Sequence, residues 1–259
     1  MRHRALLLVL GLALTGAAPA SADIVYSGRW CESQAPPPPN APPGPAYCPI
    51  VIWRAADDGS RPRRLTDGPV DTDPVWSPDG RRVAFTRQRG DPEGFATRIW
   101  TMDGEGGDQR QLTPTPRSGG GQRPEDSTPA WSPDGQTIAF TSRRGLDDPD
   151  AFAGGGGHVW TIRPDGQGMR PLTTGAGSQN GPSFSPDGLR VAYFAGAAPP
   201  HSTGIETVPV TGGPGLPVTV GDLPLGGFSL AFSPEAAGSP SRSPGGCTPS
   251  RLRAERPSA

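Results

Sequence analysis

Trp76-Ser77-Pro78-Asp79-Gly80 returns as Trp131-Ser132-Pro133-Asp134-Gly135 and as Phe184-Ser185-Pro186-Asp187-Gly188. A broken copy follows at Phe232-Ser233-Pro234-Glu235. Successive copies start 55, 53 and 48 residues apart, a spacing typical of a stacked supersecondary unit repeated along the chain. Further offsets repeat with the string. Trp76 is followed nine residues on by Phe85, Trp131 by Phe140 and Phe184 by Tyr193. Trp53, Trp100 and Trp160 are each followed twelve residues on by a leucine and then a threonine, at Leu65-Thr66, Leu112-Thr113 and Leu172-Thr173. In the last repeat Glu206, Val218 and Thr219 fall at the same offsets, with the tryptophan lost.

Each unit reads as four short strands. Pro74 to Ser77 is extended, and Pro78-Asp79-Gly80 makes the turn, Pro fixing φ and Gly accepting a positive one. Arg81 to Thr86 places Val83, Ala84 and Phe85 in a second strand. Arg98 to Met102 carries Trp100 in a third, Asp103-Gly104 turns the chain, and Arg110 to Thr113 is a short fourth. Four antiparallel strands of this length make one blade of a β-propeller. A lone blade cannot cover both faces, so Trp76, Phe85, Trp100 and Leu112 are expected to pack against neighbouring blades. Asp79, Asp134 and Asp187 are expected to bridge backbone amides in the turns. The structural repeat residues are therefore Trp76, Pro78, Asp79, Gly80, Trp131, Pro133, Asp134, Gly135, Phe184, Pro186, Asp187 and Gly188. The fold class is all-β.

Asp23 to Arg29 fits the second strand of a first blade, Ile50 to Arg54 its third and Arg63 to Thr66 its fourth; the first strand is missing. Further blades begin at Asp73, Thr128 and Gly181, giving about four. Phe228 to Ser233 could complete the first blade and close the ring. The alternative is an incomplete, open ring, and the sequence after Pro234 favours it, because no Asp-Gly and no apolar strand follow there.

The pattern P-x-W-S-P-D-G, then x-x-[VI]-A-F, an I-W strand and a final L-T resembles the WD-like repeat of the TolB β-propeller family. The same repeat occurs in the propellers of prolyl-oligopeptidase-type serine peptidases. The resemblance spans roughly residues 23–234. It implies a propeller that binds other proteins at its loop ends, or a propeller accessory to a hydrolase.

The flanks read differently. Residues 1–22 have the form of a secretory signal peptide: Arg2, His3 and Arg4, an apolar run from Ala5 to Leu14 too short to span a bilayer, and Ala20-Ser21-Ala22. Cleavage is expected after Ala22, with export to the periplasm or beyond, and no later apolar run is long enough for a transmembrane helix. Residues 235–259 are rich in Ser, Pro, Arg and Gly without strand periodicity, and are expected to form a disordered low-complexity tail. In an oxidising compartment Cys31 and Cys48, on either side of a Pro-rich insertion, are candidates for a disulfide. It would close a loop of about 18 residues, worth roughly 3 kcal/mol in the chain-entropy picture. Two free thiols are the alternative.

Chemistry is sparse. No G-x-S-x-G elbow occurs, and His158 and His201 are the histidines left after residue 22. His158 reads as an ordinary strand-edge residue. Two histidines leave too few ligands for a tetrahedral zinc site. Asp147, Asp148 and Asp150 depart from the spacing of a calcium loop, and Gly154 to Gly157 lack the Lys-Ser/Thr of a phosphate cradle. No catalytic residue, metal or cofactor is expected. A formal net charge of −1 gives no electrostatic reason to bind nucleic acid. The expected function is that of an exported, non-catalytic binding or scaffold module of the cell envelope, whose partner is an envelope or extracellular protein. The alternative is an accessory or truncated propeller fragment of an exported peptidase or lyase. The long segments Arg87 to Thr97, Pro114 to Ser127 and Ser142 to Gly157 are the candidate surface.

Overall fold

The computed structural model describes residues 23–30, 48–91, 94–115, 124–146, 156–175, 177–196, 204–218 and 230–233. The signal-peptide and tail segments, Cys31, His201, Pro234 and Asp147, Asp148 and Asp150 lie outside them. Among the described residues there are fifteen β-strands and no helix, and none is long and apolar enough to cross a membrane as a helix. Blade one holds β1 (Asp23–Arg29), β2 (Ile50–Ala56) and β3 (Arg63–Arg64). Blade two holds β4 (Val70–Trp76), β5 (Arg82–Asp91), β6 (Gly94–Asp103) and β7 (Arg110–Gln111). Blade three holds β8 (Asp126–Trp131), β9 (Ile138–Ser142), β10 (His158–Ile162) and β11 (Arg170–Pro171). Blade four holds β12 (Ser178–Phe184), β13 (Arg190–Gly196), β14 (Gly204–Pro209) and β15 (Leu216–Val218). Within each blade the strands pair antiparallel in chain order, and one parallel bridge, Ile50 to Val70, joins blades one and two.

The core lies between blades. Phe85 pairs across the ladder with Trp100, Phe140 with Trp160, and Tyr193 with Glu206, so each pair shares one face. Phe85 and Trp100 pack with Ile52 and Leu65 of blade one. Phe140 and Trp160 pack with Ala84, Ile99 and Leu112 of blade two. Tyr193, Val191 and Val208 pack with Ala139, Val159 and Leu172 of blade three. The leucine of each L-T pair thus inserts into the next interface. The threonine turns back: Thr66, Thr113 and Thr173 each accept, on Oγ1, the amide of Ile52, Ile99 or Val159 at 2.9, 3.1 and 2.9 Å. Those amides are buried in the third strand, one residue before its pairing with the two-residue fourth strand begins, so the threonine hydroxyl satisfies them.

The WSPDG turns line up at one end. In blade two the Ser77 hydroxyl donates to Asp79 (2.6 Å) and accepts the Arg82 amide (2.9 Å), while Asp79 accepts the Arg81 amide (3.1 Å). Ser132 with Asp134 and Ser185 with Asp187 repeat the arrangement. Gly80, Gly135 and Gly188 take φ of 67, 69 and 71°. A side chain on Gly135 or Gly188 would meet Pro78 or Pro133 of the preceding turn at 3.8 or 3.6 Å, so successive turns stack on one another.

Two details differ from the sequence reading. The innermost strands start at Val70, Asp126 and Ser178, ahead of the expected starts. Asp73, Thr128 and Gly181 are instead β-bulges with φ of 51, 51 and 63°. At two of these bulges the freed amide bonds to the preceding blade, Thr128 to Thr86 Oγ1 (3.2 Å) and Gly181 to Thr141 Oγ1 (3.1 Å). Bulges free an amide and sharpen twist, and here the amide is spent on a blade-to-blade link. The second difference is the Arg87–Thr97 segment. It is not a loop: β5 and β6 remain paired as far as Asp91 with Gly94. A two-stranded ribbon satisfies its own backbone, and Arg87 and Arg89 stack at 4.8 and 4.6 Å from the Trp100 ring.

The described blades do not close a ring. β1 pairs with β2 alone, and Leu230 to Ser233 carry no strand. On blade one Tyr26, the counterpart of Phe85, is 39% exposed, whereas Phe85 under blade one is fully covered. The architecture is an all-β propeller of about four antiparallel blades with the ring left open.

Candidate binding face

Strand alternation decides which loops share an end. Segments that follow the second and fourth strands of a blade leave from the end opposite the WSPDG turns, so the β5–β6 hairpin and the described bases at 114–115, 124–125, 143–146, 156–157 and 174–175 share that end. The twelve repeat residues are gathered at the other end or in the blade interfaces. Residues 116–123 and 147–155 lie outside the described residues, but the bases of their loops are defined.

Those bases rest on buried ions. Asp71, at the start of β4, accepts a two-pronged bond from Arg87 midway along β5, at 2.7 and 2.8 Å, with both side chains buried. In blade three Asp126 holds the corresponding place. It accepts from Arg144 Nε and Nη2 at 3.1 and 2.8 Å and from the Ser142 hydroxyl at 2.6 Å. Arg144 is completely buried and also donates to the Pro114 carbonyl at 2.7 Å. Arg98, midway along β6, donates to the Pro124 carbonyl at 2.5 Å. Two guanidiniums thereby hold the two feet of the 114–125 segment, Arg144 at Pro114 and Arg98 at Pro124. Two-pronged guanidinium–carboxylate bonds fix geometry as well as charge.

In blade four an amide and an imidazole take the place of the ion pair. Gln179 stands where Asp71 and Asp126 stand, and its Oε1 accepts a hydrogen bond from His158 Nδ1 at 2.6 Å. Its amide nitrogen donates to the Gly175 carbonyl at 3.2 Å. His158 is buried against blade four, which corrects its reading as a strand-edge residue: β10 is flanked by β9 and β11, and β12 covers its start. Sequence reasoning missed this layer entirely. Asp71, Asp126 and Gln179 each lie five residues before the first aromatic of their repeat, a signal hidden by the louder WSPDG string.

Nothing in this layer is arranged as a nucleophile with a base. Among the described residues no group of three or more His, Cys, Asp or Glu is placed to hold a metal. Cys48 is disulfide-bonded; Cys31, its expected partner, lies outside the described residues. What the arrangement can do is present loops from rigid bases.

A family model described as the TolB beta propeller domain matches residues 50–212. The chain belongs to that family. TolB-type relatives include a protein named as a TolB homolog in Chlorobium luteolum, 33% identical over 145 residues, covering 56% of this chain and 28% of the relative. An uncharacterized peptidase of Bacillus subtilis, YuxL, is 32% identical over 174 residues, covering 56% of this chain and 25% of the relative. This chain thus spans only about a quarter of the length of these curated relatives. A solved structure assigned to TolB from Agrobacterium tumefaciens superposes with a TM-score of 0.52 at 24% identity, covering 65% of this chain and 56% of that one. That likeness supports the fold.

Proposed function

We infer that this TolB-type propeller is an exported, non-catalytic binding module of the cell envelope that grips a protein partner with the end opposite its WSPDG turns. The observation that carries the reading is the layer of buried Asp71–Arg87 and Asp126–Arg144 pairs under that end. Buried ion pairs are costly to desolvate and add little net stability against apolar residues, so their value here is positional: they set the feet of the loops. Export rests on the basic, apolar and Ala-Ser-Ala order of residues 1–22 and on the disulfide at Cys48.

A second reading, a propeller accessory to an exported peptidase, is favoured by the match to YuxL. The two separate in one experiment. The chain from Asp23 onward, carrying an affinity tag, is incubated with envelope extract and washed, and retained proteins are identified. The same is done with Arg144→Met. A partner retained by the native chain and lost by the folded variant supports the module. If no specific partner is retained by a folded chain, the binding reading fails. Retention of a hydrolase whose turnover changes on binding would establish the second reading.

A further inference from the structure

The aromatic pair that fills each blade interface is broken once. Tyr26 with Trp53, Phe85 with Trp100 and Phe140 with Trp160 stand opposite each other across the second and third strands. The fourth pair is Tyr193 with Glu206. Where Trp100 meets Leu65 and Trp160 meets Leu112, Leu172 of blade three meets no indole. A cavity of about 990 Å³ opens there, between the outer strand of blade three and the outer half of blade four. Leu172, Thr173, Gln179, Tyr193, Glu206 and Gly215 are among the residues that line it.

The polar groups inside it are arranged. Tyr193 donates its hydroxyl to Glu206 Oε2 at 2.7 Å. Burial and this carboxylate push the phenol well above its usual range, so Tyr193 stays neutral and a donor. Gly215 lies directly over the pair: a Cβ there would come within 2.2 Å of the Tyr193 hydroxyl and 2.3 Å of Glu206 Oε2. Arg170, the cation on the lining, donates to the Val210 carbonyl at 2.9 Å. Among the described residues no cation is bonded to Glu206, which offers its other oxygen, Oε1. The site combines the place of the missing indole, the Tyr193 ring and a carboxylate.

We propose that the interface between blades three and four is a small-molecule site that takes an aromatic amine. The ring occupies the place that tryptophan fills in the neighbouring blades, and the ammonium pairs with Glu206. The site lies in the blade interface, and its lining reaches the loop end at Thr174 and Gly175. A ligand seated there would bridge two blades and tighten their contact, as any ligand selective for the folded state does.

Calorimetric titration of the full chain with tryptamine tests it, beside 3-methylindole, which lacks the charge, and indole-3-acetate, which reverses it. Tryptamine is expected to bind saturably at one site. Glu206→Gln should weaken it by about tenfold or more, the loss of one charge-assisted bond in a shielded site. Glu206→Trp restores the repeat, and should abolish binding while raising the melting temperature. Glu206→Gln serves as the near-isosteric check if the tryptophan variant folds poorly. Absence of tryptamine binding, equal binding of all three indoles, or retained affinity in either folded variant would overturn the assignment.

Discussion

At the residue scale two kinds of carboxylate do opposite work. Asp79, Asp134 and Asp187 sit in exposed turns, where the hydroxyl of Ser77, Ser132 or Ser185 and then a backbone amide hold them below the ordinary carboxylate range. A depressed pKa favours the folded state while the carboxylate is charged. Its contribution is present above the unfolded value, near 4, and is lost as pH falls through the lower folded value. The triple variant Asp79→Asn, Asp134→Asn, Asp187→Asn should therefore be less stable at pH 7 and show a flatter loss of stability below about pH 4. Urea midpoints between pH 7 and pH 3 measure this; parallel acid profiles for variant and native chain would refute it. Asp71 and Asp126 are buried and bonded to guanidiniums. Arg87→Ala strands Asp71 in a dry site and should cost about 3–5 kcal/mol, read as a lowered urea midpoint. An apolar replacement of both partners should cost much less, a double variant that separates lost attraction from stranded charge. An equal loss in single and double variants would show that the charge left behind is not what matters.

At the scale of the elements, the repeat places strands well and their ends poorly. The nine- and twelve-residue offsets mark the aromatics of the second and third strands, because burial of that face tolerates no register slip. The bulges at Asp73, Thr128 and Gly181 have no shared residue type, so the sequence alone does not reveal them. Gly181 suits a positive φ and Thr128 does not. Thr128 is held there by two bonds, its amide to Thr86 and its hydroxyl to Thr141 at 2.7 Å. Thr86→Val removes the acceptor between blades two and three and should cost about 1–3 kcal/mol, the penalty of an unsatisfied buried donor. Thermal unfolding measures it, and a neutral result would show that the bulge amide is solvated. The paired extension of β5 and β6 was equally hidden, since Arg-Gln-Arg-Gly-Asp carries no alternating apolar pattern. The Asp, Asp and Gln five residues before each first aromatic were visible but uninterpretable until the ladder brought their partners alongside. Arg87 and Arg144 occupy different offsets in their repeats, so no periodicity pointed to their shared task.

At the scale of the whole molecule, the propeller has two ends of different character and one irregular interface. The turn end is a stacked set of identical hydrogen-bonded corners. The opposite end carries segments of unequal length and composition on buried ionic feet, which is the arrangement expected of a binding surface on a rigid scaffold. Open-ring geometry adds a further expectation. Tyr26 and Ile24 on β1, at 39 and 46% exposure, make that blade face the place where an added strand or blade would dock. The decisive question is which end meets the partner. A photo-crosslinking amino acid placed at Thr115, Arg143 or Thr174 reports on the loop end, and one at Arg81, Gln136 or Leu189 on the turn end. Irradiation of the exported chain in intact cells should yield adducts to one protein from the first set and none from the second. Adducts from the turn end, or the same adducts from both ends, would contradict the account.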